Sequence, residues 1–364
     1  MRIALLGTRG IPANYGGFET FAEELSVRLV QRGHKVTVYC REKYPQPAYR
    51  GVKVVYLPSI RHKYLDTLTH TLVSTLHLLT HRVDVALYCN AANAVFTILP
   101  RIARIPVALN VDGIERKRKK WNAFAVAWYL MSERLATFLP NEIVTDAEVI
   151  EAYYLHHYKK RSTFIAYGAD MIREETTEVL DRLGLEKKSY FLYVSRFEPE
   201  NHALQVRRAF EKVPTSLKLA LIGDAPHAHE YIRQVKDTKD TRVVMPGAIF
   251  GKGYRELGSH CFAYIHATEV GGTHPALIEA MGRAALVIYR NTPENAEACG
   301  DAGLPFNDEN ELSARIRQAT SMPESERAHY GEKAEARVKA RYDWEVVTAQ
   351  YEQLLAKISH ANLG

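Results

Sequence analysis

Apolar and polar residues alternate along this chain in two similar series. The first opens with an apolar run at residues 2–7 and a long polar, glycine-containing loop, GTRGIPANYGGFE, at 7–19. From Phe18 to Arg32 apolar residues recur at helical spacing, with Phe21, Leu25, Leu29 and Val30 on one side, and Gly33 ends the run. His34–Tyr39 alternates as a strand does, and further strand-like runs lie at Val52–Leu57, Asp84–Tyr88, Val107–Val111 and Glu142–Thr145. Helical stretches fall between them near 64–80, 91–103 and 121–138. Residues 156–190 are polar and charged, include the tetrapeptide YGAD at 167–170, and read as a linker. The series then restarts. Strands are expected at Tyr190–Ser195, Leu217–Ile222, Arg242–Met245 and 262–266, and helices at Ala203–Lys212, His227–Val235 and near 252–259. A helix over Ala276–Gly282 and a strand over Ala285–Tyr289 follow, and Tyr342–Ile358 closes the chain as an amphipathic helix. Strand and helix in alternation predict parallel sheets covered on both faces, an α/β fold. Two domains are expected, 1–170 and 185–341, with the helix at 342–358 packing back on the first. In such sheets ligands bind at the carboxyl edge of the strands.

Composition narrows the class. A chain of 364 residues is too long for one ordinary core, which agrees with two domains. With 46% hydrophobic and 25% charged residues it reads as a soluble globular protein, and no run of 18 apolar residues is present. The opening MRIALLGTRGIP is too short and lacks the cleavage site of a secretory leader, so it reads as a first strand and a cytoplasmic location is expected. Cys40, Cys89, Cys261 and Cys299 have neither metal nor redox spacing and read as reduced, structural thiols. A net charge of +6 permits an acidic partner without demanding one.

The candidate chemistry lies in loops. In EVGGTHPALIEAMGRAALVIY, 269–289, Gly271, Gly272, Thr273 and His274 run into a helix that starts at Pro275. Unpaired N–H groups and the positive helix end make an anion site there, and Pro costs nothing in the first turn. Glu279 sits too deep to cap the helix and suits sugar hydroxyls beside such an anion; an ordinary loop and an exposed Glu also fit. Gly16 and Gly17 precede the helix near Phe18 and offer a second such site, or a tight turn needing positive φ. In SRFEPENH, 195–202, Arg196 stands at the end of a strand, where its planar fork suits a phosphate; a surface pair with Glu198 or Glu200 fits as well. Residues 115–138 join the five basic residues Arg116–Lys120 to Trp121, Phe124, Trp128 and Tyr129. Residues 61–82 bracket leucines with Arg61, His62, Lys63 and Arg82. Both stretches fit a peripheral contact with a membrane, and also core helices with solvated basic ends. No motif for nucleic-acid binding is present.

Taken together, GTRGIPANYGGFETFAEEL, NVDGIERKRKKW, SRFEPENH and the 269–281 stretch resemble retaining family 4 glycosyltransferases of the GT-B fold, and within them the bacterial polysaccharide rhamnosyltransferases. The resemblance spans essentially the whole chain. It implies two Rossmann-like α/β domains facing across a cleft, an N-terminal one for the acceptor and a C-terminal one for the nucleotide sugar. It implies transfer of a sugar, rhamnose in this subgroup, from a nucleoside diphosphate sugar (dTDP-, UDP- or GDP-linked) to a saccharide or lipid-linked saccharide hydroxyl in cell-surface polysaccharide synthesis. It implies no metal and no further cofactor; the chain also lacks the Asp-x-Asp triplet that holds diphosphate through a cation. The family's Arg-x-x-Pro-Glu-Lys-Asn motif is matched at Arg196, but its Lys falls on Asn201. Its Glu-x7-Glu motif is matched at Glu279, where it implies ribose binding, but its first Glu falls on Gly271; Glu269 lies two residues early.

The resulting expected site has Arg196 and Asp112 at the reacting centre. Gly16, Gly17, Arg196, Asn201, Gly271, Gly272, Thr273, His274 and Glu279 are expected on the donor, and Asp112, with Glu115 second, on the acceptor side. Asp112 equally fits a turn with Gly113. A nucleotide-sugar 2-epimerase of the same fold and a non-catalytic nucleotide-binding protein are the alternatives. A dehydrogenase is disfavoured because the dinucleotide fingerprint and its ribose-binding acid are missing.

Overall fold

The structure is a computed structural model that describes every residue except 14–15, 63, 119–120, 226–227 and 362–364. Lys63, Lys119 and Lys120 of the basic stretches therefore lie outside the described residues, as does His227, where the sequence starts a helix. The chain divides into two compact units, Met1–Gly168 with Trp344–Gly364, and Ala169–Asp343.

In the first unit the elements run β1 (Arg2–Leu6), α1 (Gly17–Gln31), β2 (Lys35–Cys40), β3 (Ala48–Tyr49), β4 (Val52–Tyr56), α2 (Asp66–Leu79) and β5 (Val85–Cys89). A 3-10 segment, Ala91–Thr97, leads into α3 (Ile98–Ile102), followed by β6 (Val107–Asn110), α4 (Ala123–Ala136), β7 (Glu142–Thr145), α5 (Glu148–Tyr158) and β8 (Thr163–Phe164). The eight strands form one sheet in the order β3-β4-β2-β1-β5-β6-β7-β8, parallel except for the β3–β4 hairpin. Registers such as Ile3↔Val36, Ile3↔Val85 and Leu87↔Ala108 align the carboxyl ends along one edge. β5 and β6 are buried at every position, as parallel strands covered on both faces must be. On one face Leu6, Tyr88, Leu109 and Ile143 join Leu78, Ile150 and Tyr154 in a core. On the other, Phe21 of α1 packs 5.2 Å from Tyr351, which lies on the chain's last helix, Trp344–His360. That helix is fixed by Tyr351, whose hydroxyl accepts from Asn110 Nδ2 at 2.8 Å, and by Glu352, which pairs with Arg32 and His34.

The second unit contains α6 (Glu178–Leu183), β9 (Tyr190–Val194), α7 (Ala203–Glu211), β10 (Lys218–Ile222), α8 (His229–Lys236), β11 (Val243–Gly247), α9 (Gly251–His260), β12 (Ala263–His266), α10 (Pro275–Gly282), β13 (Val287–Arg290), α11 (Pro293–Cys299), β14 (Gly303–Phe306), α12 (Glu309–Ser321) and α13 (Glu324–Arg341). Its six strands are all parallel, in the order β11-β10-β9-β12-β13-β14. Phe191, Tyr193, Leu219, Leu221, Ile265 and Ile288 carry its core against α7 and α12.

The polar stretch 156–190 is not a bare linker. It holds the end of α5, the edge strand β8 and α6. α6 is strapped to α9 by one buried carboxylate. Glu256 Oε1 accepts from the amides of Val179 (2.6 Å) and Leu180 (3.1 Å), and Oε2 from Thr176 Oγ1 (2.8 Å). These are the orphan amides of a helix start, satisfied from a helix some eighty residues further along the chain rather than by a local cap. Burial raises the Glu256 carboxyl, but the three hydrogen bonds outweigh it and hold the group below the ordinary glutamate range. A group lowered in the folded state contributes stability above its ordinary value and loses it as pH falls through the folded one. Glu256→Gln is therefore expected to cost about 1–3 kcal/mol near neutrality. In denaturant titrations the gap to the wild type should close as the pH is taken below the carboxylate range; a pH-independent gap would contradict the assigned ionised state.

Candidate functional site

In the second unit the site begins where β9 ends. Phe197 is 1% exposed and its ring lies 6.4 Å from that of Tyr193, so it plugs the loop into the core. Its neighbour Arg196 is half-buried on the outer side, and the Arg196 carbonyl accepts from Asn201 Nδ2 at 2.7 Å. The Asn201 carbonyl in turn accepts from the Tyr193 hydroxyl at 2.6 Å. Asn201 is only 2% exposed, so its amide shapes the loop that presents Arg196. His202 adopts a left-handed φ of 59° and starts α7.

The second loop follows β12. Glu269 couples it to the first twice: its amide donates to the Glu200 carbonyl at 3.0 Å, and its Oε2 lies 2.9 Å from His202 Nε2. The structure thus brings together Arg196, Asn201, Gly271, Gly272, Thr273, His274 and Glu279 at the carboxyl edge of β9 and β12. Glu269 serves as the link between the loops. Neither His202 nor this link is visible in the spacing of the sequence, since 67 residues separate the two side chains.

His274 stands at the N-cap position of α10, with Pro275 in the first turn. Its Nδ1 lies 2.8 Å from Asn295 Oδ1. Asn295 Nδ2 donates to the carbonyls of Thr268 and Arg290, both at 3.0 Å, which fixes the orientation of the amide. His274 therefore donates from Nδ1. Its Nε2 points inward: a Cβ on Gly271 would lie 2.4 Å from it. The imidazole fills the space a side chain at 271 would need, so a glycine there is a packing requirement. The ring of buried His266 lies 4.9 Å away; burial, and then the charge His274 would carry, hold it neutral, well below the usual histidine range. Glu279 is half-buried one turn further along, with Arg283 Nη2 at 3.8 Å from its Oε2 and the Arg283 guanidinium 4.9 Å over the Tyr254 ring.

In the first unit Gly16 is the N-cap of α1 and Gly17 its first residue. The positive end of that helix already faces a carboxylate of the chain. Glu19 is 5% exposed, accepts from the Arg9 amide at 2.9 Å, and has Oε2 3.5 Å from where a Gly16 Cβ would stand. Burial pushes its carboxyl above the usual range, with Arg41 and Arg9 pulling it back. The two glycine loops therefore differ, because the start of α1 is already met by a carboxyl of its own chain. Gly7, at φ 91°, lets the loop after β1 approach β5, where a Cβ would meet the Cys89 carbonyl at 2.3 Å. Beside it, Arg41 Nη1 pairs with Asp66 at 2.7 Å over the fully buried His70, whose imidazole burial lowers to about 4. This polar network is unread in the sequence because its members come from four separate elements.

Asp112 follows β6 with a left-handed φ of 57°, held by its own amide donating to Asn110 Oδ1 at 2.9 Å. Such a conformation costs an L-residue free energy and marks the position. The Tyr167 hydroxyl stands 3.5 Å from its carboxylate. Glu115 is different: it is 8% exposed and paired at 2.7 Å with Arg118, itself 8% exposed. It is thus an internal partner of the basic run, whereas Asp112 is half-buried. Among the described residues no group of three or more His, Cys, Asp or Glu could hold a metal ion.

The architecture is that of the GT-B glycosyltransferases. HepE from Anabaena, crystallised with UDP-glucose, superposes with a TM-score of 0.80 over 98% of this chain and 100% of its own, at 16% identity. The sucrose-phosphate synthase of Thermosynechococcus elongatus gives 0.80 over 99% of each chain at 19% identity. WaaG, a glycosyltransferase involved in lipopolysaccharide biosynthesis, gives 0.74 over 98% and 99% at 15% identity. No curated protein matches the sequence. Residues 176–337 match the family described as "Glycosyl transferases group 1", and residues 1–170 match a domain of unknown function, DUF1972.

The close approach of His274 to Gly271 has a measurable consequence. Gly271→Ala must displace the ring and is expected to cost about 1–3 kcal/mol. In a His274→Ala background the same change should cost markedly less, leaving a coupling of roughly 1 kcal/mol or more in denaturant unfolding. Additive effects would contradict the packing described.

Proposed function

We propose that this chain transfers a sugar, with rhamnose the favoured one, from a nucleoside diphosphate sugar to a saccharide hydroxyl in the synthesis of a cell-surface polysaccharide. The observation that carries this reading is the pair of interlocked loops in the second unit, with half-buried Arg196 on one and the Gly271–Gly272 turn opening α10 on the other. The diphosphate leaves with growing negative charge. Arg196 and the positive end of α10 are groups that stabilise it more in the transition state than in the ground state. A helix terminus contributes about 0.3–1 kcal/mol and a well-aimed donor roughly 3 kcal/mol, so Arg196 is the dominant group. Glu279, paired with Arg283 at 3.8 Å, accepts from the ribose hydroxyls. Asn201 acts by holding the Arg196 carbonyl and not as a second cation. Asp112 is the acceptor-side group, and its left-handed backbone sets the carboxylate at the strand edge.

Transfer with retention and without a metal follows the resemblance to family 4 enzymes. The HepE complex with UDP-glucose supports a UDP-type donor, and the rhamnosyltransferase resemblance a dTDP-type one. We place the activity in the cytoplasm, at the inner face of the membrane, with a lipid-linked saccharide as an acceptor of the right class.

The first test is a thermal-shift titration against UDP, GDP, dTDP, ADP and NAD. A nucleoside diphosphate at a hundred times its dissociation constant should stabilise the chain by about 2.7 kcal/mol. The nucleotide that shifts it names the donor class; a shift with NAD alone, or with none, overturns the reading. With a productive donor identified, Arg196→Ala is expected to lower turnover about a hundredfold, with EDTA leaving the wild-type rate unchanged. Asp112→Asn should raise the acceptor KM while the nucleotide shift stays intact; an unchanged acceptor KM removes Asp112 from the site.

A further inference from the structure

We infer that the helices α2, α3 and α4 form a docking face for an anionic lipid bilayer. Two independent distributions point to it. The first is charge. Residues 57–138 carry eleven Lys and Arg against five Asp and Glu, so the formal net charge of the whole chain, +6, lies in this one stretch. Four of its five carboxylates are engaged by arginines: Asp66 by Arg41, Asp84 by Arg2, Glu115 by Arg118 and Glu133 by Arg116. Arg61, Arg104 and Arg134 stay exposed.

The second is apolar surface. Of the fifteen large hydrophobic side chains exposed among the described residues, eleven lie between Tyr56 and Phe138. They are not scattered. Leu72 and Leu76 share the outer side of α2 and Ile98 and Ile102 that of α3, each pair four residues apart, while Phe124 is exposed in the first turn of α4 and Phe138 just beyond its end. α3 and the 3-10 segment before it pack against α2, and α4 packs against the same 3-10 segment. Arg101 Nη1 ties the ends of α3 and α4 together by donating to the carbonyls of Phe138 and Leu139 at 2.6 and 2.8 Å. Ile102 is 74% exposed and Phe124 76%, an orientation that water alone does not favour.

The structure corrects the aromatic part of the sequence reading. Tyr129 is buried, and Trp128 donates from Nε1 to the Ala92 carbonyl at 3.1 Å. Half-buried Trp121 packs 5.5 Å from Tyr129, so of the four aromatics in 121–129 only Phe124 points out. No helix among the described residues is long and apolar enough to cross a membrane, so the contact is with the interface. Exposed apolar side chains that can enter the boundary between headgroups and acyl chains, with exposed arginines on the same stretch of chain for anionic headgroups, suit this surface. Nucleic acid would use the arginines but leave the apolar stripes in water.

The inference deepens the proposed transferase reading by naming the surface that would deliver it to a lipid-linked acceptor, and its test does not depend on catalysis. The full chain is floated with vesicles of phosphatidylcholine alone or with added phosphatidylglycerol. It is expected to float with the anionic vesicles, less so in high salt, and poorly with phosphatidylcholine. The variant Ile102→Ser/Phe124→Ser/Phe138→Ser should partition onto anionic vesicles about tenfold less. Arg61→Gln/Arg104→Gln/Arg134→Gln should lose the preference for anionic lipid. Both variants should keep the nucleoside diphosphate thermal shift, so failure of the vesicle test and failure of the transferase reading are separable. No flotation with either vesicle, or flotation of the apolar variant like the wild type, overturns the inference. So does a wild-type dimer that the apolar variant lacks, which would make the face a contact between copies of this chain.

Discussion

Both units rest on one constraint: a parallel sheet covered on both faces has no place for polar side chains except at the ends of its strands. β5 and β6 are buried throughout, and so are the first four positions of β9. Every group with chemistry to offer is pushed to the carboxyl edge: Arg196 after β9, the Gly271 loop after β12, Asp112 after β6, Arg41 after β2. There the backbone leaves its ladder and its orphan amides need partners. In the second unit the partners are a closed set of side chains and carbonyls, with Asn201, Tyr193, Glu269 and Asn295 each holding a neighbouring loop in place. The loops are set before any ligand arrives, a condition for stabilising a transition state without reorganisation.

The same constraint explains what could be read from the sequence. Strands covered on both faces are short apolar runs, so β1, β5, β7, β9 and β12 appear in the pattern within a residue or two. Elements that bury little leave no such trace. No pattern marks 291–341, where the structure has α11, β14, α12 and α13. α13 buries only Gly331, Ala334 and Val338, and β14 contains a proline that an edge strand tolerates. The stretch near 91–103 has the apolar content of one helix but divides into a 3-10 segment and α3; Asn90, at φ 75°, caps the segment through its Oδ1 at 2.9 Å from the Ala92 amide. α6 is invisible for another reason: its anchor, Glu256, is distant in sequence and looks like any charged helical residue.

At the candidate site, the places of Arg196 after a strand and of Glu279 one turn into a helix are legible from the pattern alone. Glu115 is not, because an Arg and a Glu three apart in a basic run look solvated, whereas here both are buried against one another. The tryptophans and tyrosine of 121–129 mislead in the same way. Their amphipathic rings fit an interface and a core equally, and only packing separates Phe124 from the rest.

The two places where the motifs depart from family 4 glycosyltransferases are explained by their surroundings. A lysine at 201 would have to leave a site 2% exposed, and its loss would free the Arg196 carbonyl that Asn201 now holds. A glutamate at 271 would collide with His274, whose orientation is fixed by Asn295 and through it by the carbonyls of Thr268 and Arg290. Each departure is therefore tied to residues that would have to change with it, which is the behaviour of an alternative arrangement and not of a decaying site. Under the proposed transferase reading, the absence of a lysine at 201 and of a carboxylate at 271 would leave more of the donor's charge to Arg196 and to the positive end of α10.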